Sequence, residues 1–307
     1  MGINNRFMGY CPFCGRPMLF REEKTKSVKA CPVCTAPIAF QEVMDFERDT
    51  LGYEIVPDVK GESFERDGYT VENGMITHYT GDAAAIVTPR GAIAIAPAAF
   101  RGNKSVKSVV LSDDIRYVGN EAFLDCEGVR TLTISENVVS IGNSAFRGCR
   151  RLERVTVPAS LRAAGYAVFH SCENLTELLM PMDMVYLGGS PYGFCKKLKV
   201  ANIPHCVTDL GPAWFQDNDR IEILTVGRSA VSIRCPSGSL REVYFTNPEG
   251  WKPLTFFFGE GEDVPYLPEK DMKSPKTAAS LFKKHASRGH EIYRPDAPEG
   301  ERYWLLL

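Results

Sequence analysis

The chain has 307 residues, of which 44% are hydrophobic and 24% charged, and its formal net charge at pH 7 is -2. These values are ordinary for a soluble globular protein. They exclude a disordered chain, a collagen-like fibre and a strongly basic nucleic-acid coat, and they provide no global field that would attract a polyanion or an anionic membrane. At about 150 residues per domain, the length suggests two domains.

The N-terminus shows no export or membrane signal. The first ten residues, MGINNRFMGY, lack the apolar core of a signal peptide, and no apolar run approaches the roughly 18 residues that span a bilayer. The sequence therefore predicts a cytoplasmic protein without a membrane association. In a reducing compartment, paired Cys-x-x-Cys motifs indicate metal or redox chemistry rather than structural disulfides.

Four cysteines near the N-terminus form two matched Cys-x-x-Cys pairs, separated by the 16 residues from Gly15 to Ala30. This spacing is typical of zinc sites. Each pair can form a tight turn, and a hairpin between the turns can complete a tetrahedral shell of four sulfurs with Zn–S bonds of about 2.3 Å. The segment resembles a zinc ribbon, in which Zn2+ serves folding rather than catalysis, and an iron site of rubredoxin type is the alternative. The predicted metal ligands are Cys11, Cys14, Cys31 and Cys34.

A nucleic-acid function is the second hypothesis for this ribbon. Residues 1–46 contain six Lys and Arg residues against four Asp and Glu residues, which gives +2. The rings of Phe13, Phe20 and Phe40 could stack on bases, although so small a domain needs some of them for its core. A second basic segment, 273–294, contains six cationic side chains and one acidic one. We interpret it as the solvated face of a helix, with Leu281 and Phe282 packed beneath.

The central part of the chain is an internal repeat with a period of 23 residues. From Val106 the sequence divides without gaps into five blocks, a degenerate sixth begins at Ile221, and a weaker copy begins at Ala83. Apolar residues recur at positions 1, 4 and 6, and glycine recurs at position 14. The series at position 18 is Phe100, Phe123, Phe146, Phe169, Tyr192 and Phe215, and the series at position 21 is Asn103, Cys126, Cys149, Cys172, Cys195 and Asn218.

This period predicts a solenoid. One block cannot bury its own apolar side, whereas stacked blocks bury positions 1, 4, 6, 13 and 18 in a continuous core. Apolar residues at positions 4 and 6 give the period of a half-buried strand, and equivalent strands should pair in parallel at about 4.8 Å. The glycine at position 14 permits a backbone bend. We interpret the cysteines at position 21 as small packing residues that form hydrogen bonds within a turn, rather than as metal ligands or disulfides.

The repeat resembles the BspA-like leucine-rich repeat family. The running pattern V-x-x-I-G-x-x-A-F-x-x-C-x-x-L-x-x-V-x-I-P is clearest over residues 138–158 and 115–134. The resemblance covers about residues 69 to 257. It implies a curved leucine-rich-repeat solenoid with a parallel sheet on one face, acting as a binding module rather than an enzyme. Two blocks have Pro191-Tyr192 and Trp214-Phe215 in place of Ala-Phe, so their outer turns should be less regular.

The outward strand positions form the predicted partner-binding face. Positions 2, 3 and 5 project away from the core and carry charges of both signs, which suits a protein partner better than a nucleic acid. Two pairs, Arg130 with Glu153 and Lys199 with Glu222, are expected to meet across neighbouring strands. The candidate residues are Lys107, Arg130, Glu153, Arg154, Glu177, Leu179, Lys199 and Glu222.

The pattern as a whole predicts a zinc ribbon over 1–46, a linker over 47–68, the solenoid with its caps over 69–258, and a linker, a basic helix and an apolar tail over 259–307. Asn73-Gly74 indicates a capping hairpin over 69–80, and Ser274-Pro275 indicates a helix start. None of the five histidines lies in a recognisable catalytic motif. We therefore predict a non-enzymatic intracellular scaffold that binds protein partners. Nucleic-acid association is the alternative, and electron transfer through iron is less favoured.

Overall fold

The computed structural model describes residues 6–21, 28–45, 50–208, 210, 213–230, 232–233, 237–249, 252–254, 267–286 and 291–293. Most of its elements are short strands. The strands are β1 (Arg6–Tyr10), β2 (Pro17–Arg21), β3 (Ile38–Asp45), β4 (Thr50–Pro57), β5 (Phe64–Arg66), β6 (Tyr69–Glu72), β7 (Met75–Tyr79), β8 (Ala85–Val87), β9 (Ala94–Ile95), β10 (Ser108–Val110), β11 (Tyr117–Val118), β12 (Thr131–Thr133), β13 (Ser140–Ile141), β14 (Arg154–Thr156), β15 (Ala163–Ala164), β16 (Glu177–Leu178), β17 (Tyr186–Leu187), β18 (Val200–Ile203), β19 (Ile223–Val226), β20 (Ser232–Ile233), β21 (Glu242–Phe245), β22 (Lys252–Leu254) and β23 (Glu291–Tyr293). The helices are α1 (Glu269–Met272) and α2 (Pro275–Ala286).

The N-terminal ribbon consists of two antiparallel hairpins that flank the cysteine turns. β1 pairs with β2, and β3 pairs with β4 along its whole length, from Ile38 opposite Pro57 to Asp45 opposite Thr50. The segment 47–68, for which the sequence predicts a linker, thus contains β4 and β5. The physical reason lies in the sequence TLGYEIVP of β4, since threonine, tyrosine, isoleucine and valine favour strands.

The repeat forms a solenoid in which equivalent strands of successive coils pair in parallel, as predicted. The strands at block positions 3 to 5 form two four-stranded groups, in the order β14-β12-β10-β8 and β16-β18-β19-β21. Their register follows the 23-residue period, with Val109 opposite Leu132 and Leu132 opposite Val155. We call these eight strands sheet A.

A second sheet, which the sequence does not predict, runs along the solenoid at block positions 12 and 13. Its order is β17-β15-β13-β11-β9-β7-β6-β5, and we call it sheet B. Most of its strands within the repeat are only two residues long, so they show no alternation in the sequence. The predicted capping hairpin is confirmed as β6 and β7, which continue sheet B. Asn73 and Gly74 have φ angles of 50° and 78°, as a type I′ turn requires.

The core lies inside the coils and follows the predicted positions. Phe123, Phe146 and Phe169 are almost completely buried. Their rings stack in a ladder, with centroid distances of 5.3 Å from Phe123 to Phe146 and 5.3 Å from Phe146 to Phe169. Phe100 continues the ladder at 4.5 Å from Phe123. The recurrent aromatic at position 18 therefore forms one continuous apolar column over four coils.

The glycine at position 14 serves close packing between coils. A Cβ on Gly142 would lie 2.5 Å from the backbone nitrogen of Asn120, and one on Gly119 would lie 2.5 Å from that of Pro97. The left-handed residue of the bend is two positions later, at Glu121 and Ser144, with φ angles of 58° and 52°. The prediction of a bend near position 14 is thus met, but the glycine itself is required by the approach of the preceding coil.

The C-terminal end of sheet A is covered by α2. Ala278, Ala279 and Phe282 are buried, and the ring of Phe282 lies 5.7 Å from that of Phe245 in β21. The helix begins at Pro275, as predicted. The linker predicted at the start of 259–307 contains α1. β20, β23 and β22 form a small antiparallel sheet. The predicted apolar tail lies outside the described residues.

Candidate metal site and binding face

The four N-terminal cysteines converge in the ribbon, as predicted. They are buried, and their sulfur atoms all lie within 4.8 Å of one another. The distance from Cys11 Sγ to Cys34 Sγ is 3.8 Å, and that from Cys14 Sγ to Cys31 Sγ is also 3.8 Å. The two cysteine turns thus present four soft ligands to one point.

The spacing of these sulfurs fits a tetrahedral metal site. A tetrahedron with metal–sulfur bonds of about 2.3 Å has sulfur–sulfur edges of about 3.8 Å. A disulfide would instead require about 2.05 Å, and all four cysteines are free thiols. The cluster could therefore hold a metal ion.

The two cysteine turns have matching local structures. The Gly15 N–H donates to the Cys11 carbonyl at 2.9 Å, and the Thr35 N–H donates to the Cys31 carbonyl at 2.8 Å. Gly15 and Thr35 both have positive φ angles, of 68° and 60°. This left-handed conformation lets each turn reverse directly after its second cysteine.

Crowding of the thiols perturbs their proton affinities. Hydrogen bonding with Cys11, Cys31 and Cys34 raises the pKa of Cys14 well above its ordinary value. Hydrogen bonding with Cys11, Cys14 and Cys34 lowers the pKa of Cys31. Both directions come from the sharing of protons among four neighbouring sulfurs, and a divalent cation bound to thiolates would take the place of those protons.

The ribbon lies on sheet B, an arrangement that the sequence analysis missed. Phe13 is completely buried, and its ring lies 5.4 Å from that of Tyr117. The Asn120 N–H donates to the Pro12 carbonyl at 2.9 Å. A signal was present at block position 12, which carries alanine, serine or tyrosine where a solvated strand would carry charges. The members of that series are Ala94, Tyr117, Ser140, Ala163 and Tyr186.

The first cysteine turn fits closely against the coils. The Arg16 guanidinium carbon lies 4.8 Å from the centre of the Tyr186 ring, a distance typical of a cation–π contact. Burial raises the pKa of Tyr186 to about 12. A Cβ on Gly15 would lie 1.7 Å from Asn143 Oδ1. Gly15 is therefore required by its contact with the solenoid, since Thr35 adopts the same positive φ angle in the second turn.

We expect Tyr186→Ala to loosen the ribbon on sheet B. The variant removes the ring beneath Arg16 and should cost about 2 kcal/mol of docking free energy. Faster amide hydrogen exchange in β3 and β4, with the exchange of sheet A unchanged, is the expected result. Tyr166→Ala is the matched control, because the Tyr166 side chain is largely exposed. Equal exchange in the two variants would contradict a docking role for Tyr186.

The predicted binding residues lie on the outer side of sheet A and its entry turns. Seven are exposed, and Glu222 is half-buried. The two expected ion pairs form, at 3.9 Å between Arg130 and Glu153 and 3.1 Å between Lys199 and Glu222. Such surface pairs typically contribute about 0–1 kcal/mol. The role of this face in binding stays a prediction.

A ladder of ion pairs along position 22 was not predicted. Arg150 lies between Glu127 at 3.6 Å and Glu173 at 3.7 Å, and Lys196 lies 3.1 Å from Glu173. The signal was visible in the repeat, because the residue after each position-21 cysteine alternates in charge. These charges link successive coils to one another.

The cysteines at position 21 have the structural role predicted for them. Burial raises the pKa of Cys126 and of Cys195 to about 12, so both remain protonated hydrogen-bond donors at neutral pH. Asn218 takes the same place in a later coil and donates to the Tyr192 carbonyl at 2.7 Å. Cys126, Cys149, Cys172 and Cys195 donate to the carbonyls of Phe100, Phe123, Phe146 and Phe169, at 3.0, 3.5, 3.4 and 3.2 Å.

One histidine contacts a hydroxyl group. His170 Nδ1 and Ser171 Oγ lie 2.8 Å apart. Burial, followed by the charge of Arg147, lowers the pKa of His170. A nucleophile–base pair needs an acidic or carbonyl group that orients the imidazole, whereas the charge that acts on this ring is a cation. Among the described residues, the contact therefore has no acidic partner that would complete a catalytic triad.

Within the described part of the chain, no helix has both the length and the apolar character needed to cross a membrane. No curated protein sequence matches the chain significantly. Several solved structures are similar to it. One is a leucine-rich repeat protein from Bacteroides ovatus, with 20% identity, a TM-score of 0.51, and coverage of 63% of this chain and 53% of that one.

The second is a leucine rich cell surface protein from Faecalibacterium prausnitzii, with 21% identity and a TM-score of 0.53. The match covers 62% of this chain and 56% of that one. The third is a leucine rich repeat protein from T. pallidum, with 24% identity and a TM-score of 0.47. The match covers 61% of this chain and 82% of that one. The chain spans just over half the length of the first two, with which it shares its fold. Six copies of the BspA type leucine rich repeat match residues 93–222. The coils of this chain over residues 93–222 therefore match the BspA type of leucine rich repeat region.

Proposed function

We propose that this chain is a non-enzymatic binding protein that recognises protein partners through the outer face of sheet A. The different surroundings of the two sheets carry the proposal. The ribbon covers sheet B, whereas sheet A presents apolar side chains to solvent at block position 5 and its equivalents. Val87, Leu179 and Tyr244 are 61%, 45% and 44% exposed. Large apolar side chains on an otherwise polar face are typical of interaction surfaces.

The charges of this face also favour a protein partner. In successive coils, block position 2 carries lysine, arginine, glutamate, threonine, lysine and glutamate. No continuous cationic track therefore follows the strands as a phosphate backbone would require. Phe13, one of the rings that could stack on bases, is buried against the solenoid. Nucleic-acid association stays an alternative hypothesis, and a steep loss of affinity with added salt would support it.

For the cysteine cluster we propose a structural Zn2+. A closed set of four thiolates leaves no open position for a substrate, as is typical of structural zinc, and all four cysteines are buried. The cytoplasmic location stays a prediction. The domain limits given above stay predictions.

The binding role is tested by charge reversal on the face. A partner captured by the full-length chain and identified by cross-linking should bind Lys107→Glu/Arg130→Glu at least about tenfold more weakly than the unaltered chain. Arg147→Glu is the control, because Arg147 is exposed on a turn that lies outside sheet A. Undiminished binding by the double variant would remove this face from the proposal.

A further inference from the structure

Sheet A is interrupted between its third and fourth repeat coils. In neighbouring coils a backbone bond joins the residues at position 2, from the Glu153 N–H to the Arg130 carbonyl at 3.0 Å and from the Lys199 N–H to the Thr176 carbonyl at 2.8 Å. No such bond joins Thr176 to Glu153, although the structure describes both residues. β14 and β16 accordingly belong to different ladders.

On the other side of β16, a buried asparagine binds the end of the strand to the following coil. In an earlier coil the Leu111 N–H donates to the Thr133 carbonyl at 2.9 Å. The equivalent N–H of Met180 instead donates to Asn202 Oδ1 at 2.8 Å, and Asn202 Nδ2 donates to the Met180 carbonyl at 2.7 Å. The Tyr192 hydroxyl donates a hydrogen bond to the Asn202 carbonyl at 2.5 Å. These bonds hold the end of β16 to the following coil.

The interruption opens a groove with an apolar floor. Val155 and Val157 are half-buried, whereas the residues equivalent to Val155, Val109 and Leu132, are 1% and 4% exposed. Leu179 contributes a third apolar side chain at the rim. The groove has a volume of about 570 Å³.

Two charges face the groove without ion-pair partners. Arg154 and Glu177 occupy position 3 on its two sides and both line it, and both are exposed. Within the described residues neither forms an ion pair, although Arg130 and Glu153 next to them do. A smaller groove of about 390 Å³ continues past Arg154 to Lys197. The cationic side chains of Arg154 and Lys197 and the apolar floor therefore line one continuous groove.

We propose that this groove binds an extended segment of a partner protein in which an acidic residue is followed, two positions later, by an apolar residue. The acidic side chain pairs with Arg154, and the apolar side chain lies over Val157 and Leu179. The inference rests on the proposed binding role of sheet A, and it specifies the kind of partner.

The geometry favours an extended polypeptide over a compact ligand. Arg154 and Leu179 are at block positions 3 and 5, so they are separated by about 6.6 Å along the strand direction. Side chains that point to the same side of an extended chain have the same spacing.

The test uses the full-length chain and a phage-displayed library of random 12-residue peptides. We expect enrichment of peptides with the pattern acidic-x-apolar. Their affinity should fall at least about tenfold on Arg154→Glu and on Leu179→Asp. Arg151→Glu, which changes an exposed cation outside the groove, should leave affinity unchanged. In the unaltered chain, a bound peptide should slow amide exchange in residues 153–157 and 176–179, a measurement that does not depend on how the variants fold.

The outcomes separate this inference from the proposed function. One outcome would be peptides that lose affinity for Lys107→Glu/Arg130→Glu but bind both groove variants as tightly as the unaltered chain. That outcome would support the outer face of sheet A as a binding surface and overturn the proposal that peptides bind in the groove. Peptides insensitive to every variant, or no enrichment over an unrelated protein, would overturn both. Enrichment of basic peptides that bind through Glu177 alone would also overturn the assignment of an acidic partner.

Discussion

Replacing Cys34 with serine should release the metal and unfold the ribbon. The purified chain is expected to contain one zinc per molecule, and Cys34→Ser close to none, because a serine hydroxyl is a poor replacement for one of four thiolates. Structural zinc sites provide about 10–16 kcal/mol of apparent binding free energy, which is also folding free energy. The variant should therefore show rapid amide exchange in β1 to β4. Elemental analysis and exchange on one sample measure both effects.

The matched control for this variant is Cys172→Ser. Cys172 is buried and donates to the Phe146 carbonyl, and the repeat places it outside the ribbon, so its replacement should leave the zinc content at one. A coloured protein that contains iron would replace the zinc assignment with the rubredoxin-type alternative. Retention of one zinc by Cys34→Ser, with normal protection of β3 and β4, would remove Cys34 from the ligand set.

Loss of the metal should also affect the solenoid. With the ribbon folded, Phe13 packs against Tyr117, and Ala94 and Ala163 are buried beneath it. Without it, this apolar strip of sheet B would face solvent, and exposed strips of that kind promote association. The ribbon therefore covers the apolar strip of sheet B, whereas the outer face of sheet A stays exposed to solvent.

The repeat could be predicted from the sequence because each of its characteristic residues recurs in several coils. A single aromatic such as Phe146 indicates little, whereas an aromatic every 23 residues predicts a stacked column. The metal cluster was predictable for a similar reason, since the turn around Cys11 and Cys14 is repeated around Cys31 and Cys34. In both cases the recurring residues determine contacts between neighbouring coils or turns, and those contacts determine how the coils or turns are arranged.

Features that depend on contacts between distant segments were not predictable from the pattern. The side of the solenoid on which the ribbon lies depends on how closely Gly15 packs against Asn143 and Arg16 against Tyr186. Asn202 occupies position 5, which alternation assigns to the outer face, yet it is 4% exposed. Its amide satisfies backbone groups that the ladder would otherwise bond. One polar side chain can thus overrule the period of a strand when it replaces backbone hydrogen bonds.

Replacing Phe146 with alanine should cause the largest loss of stability within the solenoid. Its ring is 1% exposed and stacks between two others at 5.3 Å. Truncation of a buried phenylalanine costs about 3–5 kcal/mol, and each aromatic contact adds about 0.5–1.5 kcal/mol. In a solenoid the coils depend on their neighbours, so the loss should affect the coils on both sides. Urea unfolding followed by circular dichroism measures the free energy of unfolding.

Phe215→Ala is the comparison that isolates the effect of the column. Phe215 occupies the same block position near the end of the repeat, is half-buried, and stacks on Tyr192 at 5.4 Å. With one stacked neighbour and more exposure, its truncation should cost about half as much. Phe146→Leu should recover most of the loss, because it restores apolar volume without the ring stacking. If the two alanine variants were equally destabilised, the stability of the solenoid would not reside in the central aromatic column.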